Sequence, residues 1–258
     1  MQNVALITGA SSGIGKELAR VHAWEGGDLV LVARRKKELE ALKKELEEGF
    51  GIKVKVIAKD LTEPHATKEI YLELAKEKIE VDYLINNAGF GGIGKFYEQD
   101  WSLDEAMIKL NIMALTSLTR YFLPDFVKRN EGRILNVSST ASLFPGPLQA
   151  VYYASKAYVS SFSMAIAEEL RGTKVTVTTL MPGATETEFG EKSGMNKTRL
   201  FKKTFSAKMV AEEGYHAMKK GQLVTTAGLT LGQRLMIAVA PLMPKKLVLK
   251  VIHHLQKT

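Results

Sequence analysis

The stretch Val4-Ala5-Leu6-Ile7-Thr8-Gly9-Ala10-Ser11-Ser12-Gly13-Ile14-Gly15 decides the fold. Its opening run is apolar without alternation, the pattern of a strand buried on both faces. Glycines then stand at 9, 13 and 15, and a helical segment runs on through Arg20. Gly9 permits a tight turn. Gly13 omits a side chain that would block close approach of a ligand to the backbone, and Gly15 lets the helix lie close on the sheet. Ser11 and Ser12 stand where they cap the first helical turn or donate to an anion. A strand, a glycine turn and a helix N-terminus in this order suit the pyrophosphate of a dinucleotide. Gly9, Ser11, Ser12, Gly13, Ile14 and Gly15 are therefore candidate cofactor contacts, although the spacing is GxxxGxG rather than GxGxxG.

Outward from this turn, short apolar runs alternate with amphipathic segments. Further strands are expected at Leu29–Ala33, Lys53–Ala58, Tyr83–Asn86, Arg133–Val137, Lys174–Met181 and, as the weakest, Gln222–Thr225. Between them lie segments such as Lys36–Glu48, where Leu39, Leu42 and Leu46 recur at helical spacing. The alternation implies right-handed crossovers and a doubly wound, Rossmann-type parallel β-sheet of about seven strands in an α/β/α sandwich. A closed barrel of eight β/α units fits the length but lacks its eighth strand and leaves the glycine turn unexplained. No internal repeat or low-complexity linker interrupts the chain, so residues 1–258 are expected to form a single domain.

The composition narrows the chemistry. With 258 residues, 45% hydrophobic and 25% charged, the chain is of ordinary globular type. The absence of cysteine excludes disulfide scaffolds, thiol catalysis and thiolate metal sites. The five histidines have no HExxH spacing, and no metal site is expected. A formal charge of +8 favours anionic partners. Nucleic acid would call for basic residues interleaved with aromatics on one face, which the sequence lacks. Only Met1, Gln2 and Asn3 precede the first apolar run, so no secretory signal is expected. The longest apolar stretch, Leu235–Met243, is broken by Pro241 and falls short of the roughly 20 residues of a membrane span. A cytoplasmic location is the resulting expectation.

After the second strand the sequence reads Val32-Ala33-Arg34-Arg35-Lys36-Lys37. Binders of NAD place an acid here for the ribose 2′-hydroxyl. Cations crowding a helix N-terminus oppose the helix dipole unless a dianion binds there. The 2′-phosphate of NADP is such a group, with Arg34 as its leading contact and Arg35 as helper. Farther on, Tyr152 and Lys156 stand four apart, on one helix face, where an ammonium would depress the pKa of a phenol. Ser139 follows the fifth strand, at the carboxyl edge of the sheet where ligands bind. Its neighbour Ser138 is expected to point off the site, and Tyr153 to face another way.

The glycine turn, Asp60-Leu61, Asn86–Gly89, Asn111, Ser139, Tyr152, Lys156 and Pro182-Gly183 occur in the order of the short-chain dehydrogenase/reductase family, and the chain resembles it from Asn3 to about residue 225. The resemblance implies hydride transfer between nicotinamide and a carbonyl or alcohol carbon. Tyr152 would protonate the alkoxide, Lys156 would lower the Tyr152 pKa and bind ribose, and Ser139 would hydrogen-bond the carbonyl oxygen. Asn111 would hold a water leading from Lys156 to solvent. Asp60 and Leu61 would flank adenine, and Asn87, Ala88 and Gly89 would line the ribose side. Pro182, Gly183, Thr185 and Thr187 would hold the nicotinamide and pyrophosphate.

The same resemblance puts a substrate lid at 184–205, where Phe189, Met195, Leu200, Phe201 and Phe205 suit either an apolar substrate or core packing. It also implies a homodimer or homotetramer. Residues 228–258 depart from the commonest family pattern. There Leu247, Val248, Val251, Ile252 and Leu255 make an apolar stripe largely opposite Lys245, Lys246, Lys250, His253, His254 and Lys257. Such a helix either packs against the lid or a partner subunit, or makes peripheral contact with an anionic membrane. The leading expectation is an NADPH-dependent carbonyl reductase for an apolar ketone or aldehyde. A non-catalytic NADP-binding regulator or scaffold is the alternative.

Overall fold

Strands apolar on both sides must be covered on both sides, and helices do this throughout the computed structural model, which describes residues 1–257. The strands are β1 (Ala5–Thr8), β2 (Leu29–Ala33), β3 (Val54–Ala58), β4 (Tyr83–Asn86), β5 (Gly132–Val137), β6 (Val175–Pro182), β7 (Thr185–Glu186), β8 (Phe205–Ser206) and β9 (Val224–Ala227). The helices are α1 (Gly13–Trp24), α2 (Lys36–Phe50), α3 (Ala66–Lys76), α4 (Trp101–Ile108), α5 (Leu115–Arg129), α6 (Ala150–Glu169), α7 (Glu188–Lys192), α8 (Ala207–Lys219), α9 (Leu231–Val239) and α10 (Lys245–Gln256). A π-helical stretch, Lys109–Ala114, joins α4 to α5.

Seven strands pair in parallel in the order β3-β2-β1-β4-β5-β6-β9, a doubly wound sheet. Alternate side chains of each strand enter opposite cores. Ala5, Ile7, Leu29 and Leu31 pack against α1, α2 and α8, while Val4, Leu6, Val30 and Val32 join α3, α5 and α6. In α2, Leu39, Leu42 and Leu46 form the buried stripe, and Gly51 ends the helix in the left-handed region at φ +67°.

The last strand of the sheet begins two residues beyond the expected Gln222. Gly221, at φ +63°, is still turning the chain out of α8, and the ladder to β6 starts only at Thr179–Val224. The lid region is a closed loop rather than a free one. Thr185 pairs with Phe205 and Glu186 with Ser206, so β7 and β8 clasp its base. Among the described residues no helix is long and apolar enough to cross a membrane.

Candidate active site

The strand order reverses between β1 and β4, and ligands of open α/β sheets bind beyond the strand carboxyl ends at such a point. A cleft of about 530 Å³ opens there. The glycine turn and the end of β2 wall one half. The front of α6, the lid and α9 wall the other.

Thr8 is the hub of the first half, a role its place inside the glycine motif concealed. Its Oγ1 accepts hydrogen bonds from the amides of Asn87 and Ala88, each at 3.0 Å. The Asn87 side chain returns the contact, donating to the Thr8 carbonyl at 2.9 Å and the Gly9 carbonyl at 3.3 Å. Gly9 has φ +67°, and a Cβ there would lie 2.8 Å from Asn87 Nδ2 and 2.9 Å from Ala88 Cα. Asn87 thus clamps the turn to β4, as well as facing the cleft. Gly13, at φ +55°, faces the Thr187 methyl group, so it lets the lid's first residues close on the turn. Gly15 is buried against Gly9 and Asn87, behind the wall. Ser12 begins α1 without a side-chain cap, which leaves first-turn amides open to an anion.

Acids absent from the Arg34–Lys37 segment arrive from elsewhere in the chain. Arg34 reaches Asp60 at 3.6 Å while its side chain stays 75% exposed. Arg35 donates to Ser11 Oγ at 3.2 and 3.1 Å and pairs with Glu188 at 3.0 Å, tying the glycine turn to the lid. Arg34 is therefore the more available cation. Partial burial pushes the Asp60 pKa up, but hydrogen bonds from Thr62 and the Arg34 charge outweigh this and hold it below its ordinary value. Leu61 is buried in the cleft wall beside it. The lining thus fits a dinucleotide: open amides for the pyrophosphate, and Arg34 on the rim for a 2′-phosphate.

At the other end, Tyr152 and Lys156 project from α6, both buried. Burial dominates the electrostatics of both groups. Burial raises the Tyr152 pKa above its ordinary value, and the neighbouring Ser139 side chain offsets only part of this. Burial also lowers the Lys156 pKa to about 8. The ammonium donates to the Val137 carbonyl at 2.9 Å and stands 6.0 Å from the Tyr152 ring centre. Ser138 lines the cleft, and its hydroxyl donates to the Lys156 carbonyl at 2.9 Å and shares a 2.8 Å bond with Ser160. Ser139 precedes the 3₁₀ turn Thr140–Leu143, accepting from the Ala141 amide at 3.1 Å, and its side chain also bonds with the Tyr152 phenol.

Asn111 stands behind the catalytic face of α6. It lies buried in the π-helical stretch, and its side chain accepts from the Phe90 amide at 3.1 Å. It also donates to the Phe90 carbonyl at 2.9 Å and to Ser155 Oγ at 3.0 Å. These bonds make the side chain a brace for the Phe90 backbone. Ala88 and Gly89 line the cleft above it. Pro182 and Gly183 carry β6 to the rim, where the Thr185 hydroxyl donates to the Gly183 carbonyl at 3.0 Å and Thr187 caps α7.

Tyr153 was expected to face away, yet it lines the same cleft, because consecutive helical residues are only about 100° apart. Its ring sits 6.0 Å from that of Tyr152, and it clusters with Phe144, Phe189, Val248 and Ile252. Burial pushes its pKa up to about 12, and Gln256 on α10 moderates the rise. The extension therefore packs one edge of α10 on the site. No spacing rule pointed to Phe90 or Phe144, since each reads as ordinary core, and Ile252 was legible only as one member of the apolar stripe of residues 247–255. Among the described residues no cluster of His, Asp or Glu could hold a metal ion.

The sequence profile of the short chain dehydrogenase family matches residues 3–198. A short chain dehydrogenase of Pseudocercospora fijiensis is 36% identical over 72% of this chain, which spans 60% of that protein's length. A very-long-chain 3-oxoacyl-CoA reductase of Anas platyrhynchos is 32% identical over 85% of this chain and 71% of its own. Among solved structures, a short-chain dehydrogenase from Sphingobium yanoikuyae in complex with NADPH has a TM-score of 0.83 at 33% identity, covering 92% of each chain. The matched residues include the glycine turn, Ser139, Tyr152 and Lys156, and the chain belongs to the short-chain dehydrogenase family.

Proposed function

We propose that this chain is an NADPH-dependent reductase of apolar ketones or aldehydes. One observation carries the reading. A single cleft runs from the glycine turn and Arg34, past Tyr152 and Lys156, to a chamber walled by Phe144, Phe189, Leu200, Phe201, Met236 and Ile237. The NADPH complex of the Sphingobium relative and the 3-oxoacyl-CoA named for the duck relative are consistent with it.

Bound NADPH would supply a hydride to a carbonyl carbon. The chain's own residues handle the rest. The first-turn amides of α1 hold the pyrophosphate, and Arg34, with help from Arg35, holds the 2′-phosphate. Burial keeps the Tyr152 phenol protonated at neutral pH, so its proton is available as the alkoxide develops. Lys156, whose burial brings its pKa to about 8, still carries charge at pH 7 and stabilises the phenolate left behind. Ser139 donates to the carbonyl oxygen as charge accumulates there. The wall beyond excludes water and favours substrates with apolar substituents.

The test is NADPH oxidation screened over ketones, aldehydes, quinones and 3-oxoacyl thioesters, with Tyr152→Phe beside the wild type. Turnover of one class, lost by at least about 10²-fold in the variant while NADPH still binds, supports the reading. NADPH binding with no turnover anywhere would favour a regulator or scaffold. Assembly as a homo-oligomer would use the outer faces of α5 and α6, where Val127, Tyr158 and Met164 are exposed. Light scattering on Tyr158→Glu reads that claim.

A further inference from the structure

The helix α9 is apolar on two sides. Gln233, Met236 and Ile237 line the cleft. On the other side Leu231, Leu235 and Val239 follow at spacings of four, and Leu242 comes from the 3₁₀ turn Ala240–Leu242 just beyond the helix; they are 83%, 64%, 44% and 86% exposed. The capping box of Thr230 and Gln233 fixes the helix start, so this stripe is held in one orientation. In α10, Ile252 and Gln256 are buried on the inner edge, while Leu247 and Val251 remain exposed.

The same end of the chain is its basic part. Residues 193–258 carry twelve of the 36 Lys and Arg but only two of the 28 acids, Glu212 and Glu213, although Lys219 on α8 is paired with Glu25 of α1. The segment 228–258 has Arg234, Lys245, Lys246, Lys250 and Lys257 and no acid at all. Lysines beside exposed leucines suit a surface that is apolar within and anionic at its rim.

We propose that the outer face of α9 and α10 docks on an anionic lipid bilayer. Leu231, Leu235, Val239 and Leu242 enter the acyl boundary, and Lys245, Lys246 and Lys250 meet the head groups. A second copy of the chain is the poorer occupant, because self-pairing would oppose two acid-free cationic faces. The inference stands whatever reaction the cleft performs.

The experiment is co-sedimentation of the full chain with phosphatidylcholine vesicles, with and without about one-third phosphatidylglycerol. Binding is expected to the anionic vesicles and to fall at least about tenfold in high salt. Leu235→Glu with Leu242→Glu should abolish it, and Lys245, Lys246 and Lys250 changed together to Gln should remove the anionic preference. Both variants should keep wild-type thermal unfolding and NADPH affinity, since none of these residues lines the cleft. No association with anionic vesicles overturns the proposal, as does association unchanged by either variant. A wild-type dimer dissolved by the leucine variant, without vesicle binding, would assign the face to a second copy instead.

Discussion

The two halves of the cleft are built differently. At the cofactor end, backbone amides and strand ends interlock: Thr8, Asn87 and Gly9 exchange hydrogen bonds across β1 and β4, and neither strand end moves alone. At the substrate end, the wall is side chains on short elements. The lid comprises the five-residue α7 and two 3₁₀ turns, fastened by β7 and β8, by Arg35–Glu188 and by an Arg199–His254 contact to α10. Rigid backbone fixes where a cofactor lies; adaptable side chains decide what meets it. Changes at the first end should therefore cost turnover or folding, and changes at the second should redirect selectivity.

The largest effect is expected at Lys156→Met. Removing the ammonium should cut kcat by roughly 10²–10⁴ if it supports proton transfer by Tyr152. The free protein's activity should also fall above pH of about 8, where the buried ammonium discharges, and that limb should vanish in the variant. Stability supplies an independent sign. The folded pKa lies below the ordinary 10.5, so the unfolded chain holds the proton more tightly between pH 8 and 10.5. Stability should rise with pH through that window by roughly 3 kcal/mol. Urea unfolding at several pH values reads this, and Lys156→Met should flatten the slope.

Next comes Gly9→Ala. The new Cβ meets Asn87 Nδ2 at 2.8 Å and the Ala88 backbone at 2.9 Å, in a left-handed conformation an L side chain rarely adopts. A loss of about 2–4 kcal/mol of folding stability is expected. A variant as stable as wild type would mean that the clamp yields.

How much was legible in sequence follows the same division. The sheet, the glycine turn and Tyr152 with Lys156 are set by local pattern: apolar runs, glycine spacing and helical period. Asn111 was legible as a position, but its bonds to Phe90 were not, because they join residues 21 apart in the chain. Tyr153 was misplaced for a related reason, since the cleft wraps far enough round α6 to take both tyrosines. The partners of Arg34 and Arg35 come from Asp60 and Glu188, 26 and 153 positions later, separations no local pattern encodes. Replacing both arginines by Ala should weaken NADPH against NADH by about 10–100-fold, through lost charged hydrogen bonds. An unchanged ratio would detach the 2′-phosphate from this end.

The smallest effect should lie in the lid. Phe201 is half-buried, lines the cleft and packs against Gly190, where a Cβ would stand 3.0 Å from its ring. Phe201→Ala enlarges the chamber without touching the glycine turn or α6. A lost apolar contact of a methylene or two is worth about 1–2 kcal/mol, so KM for a slender ketone should rise about 5–30-fold. The kcat and the NADPH affinity should stay as they were, because the hydride and proton paths are assembled elsewhere. A bulkier ketone should gain, since the space left by the ring removes a steric barrier to it. If kcat fell for both ketones alike, the lid would be shaping the reacting geometry as well as the fit, and the contrast between the two halves would fail.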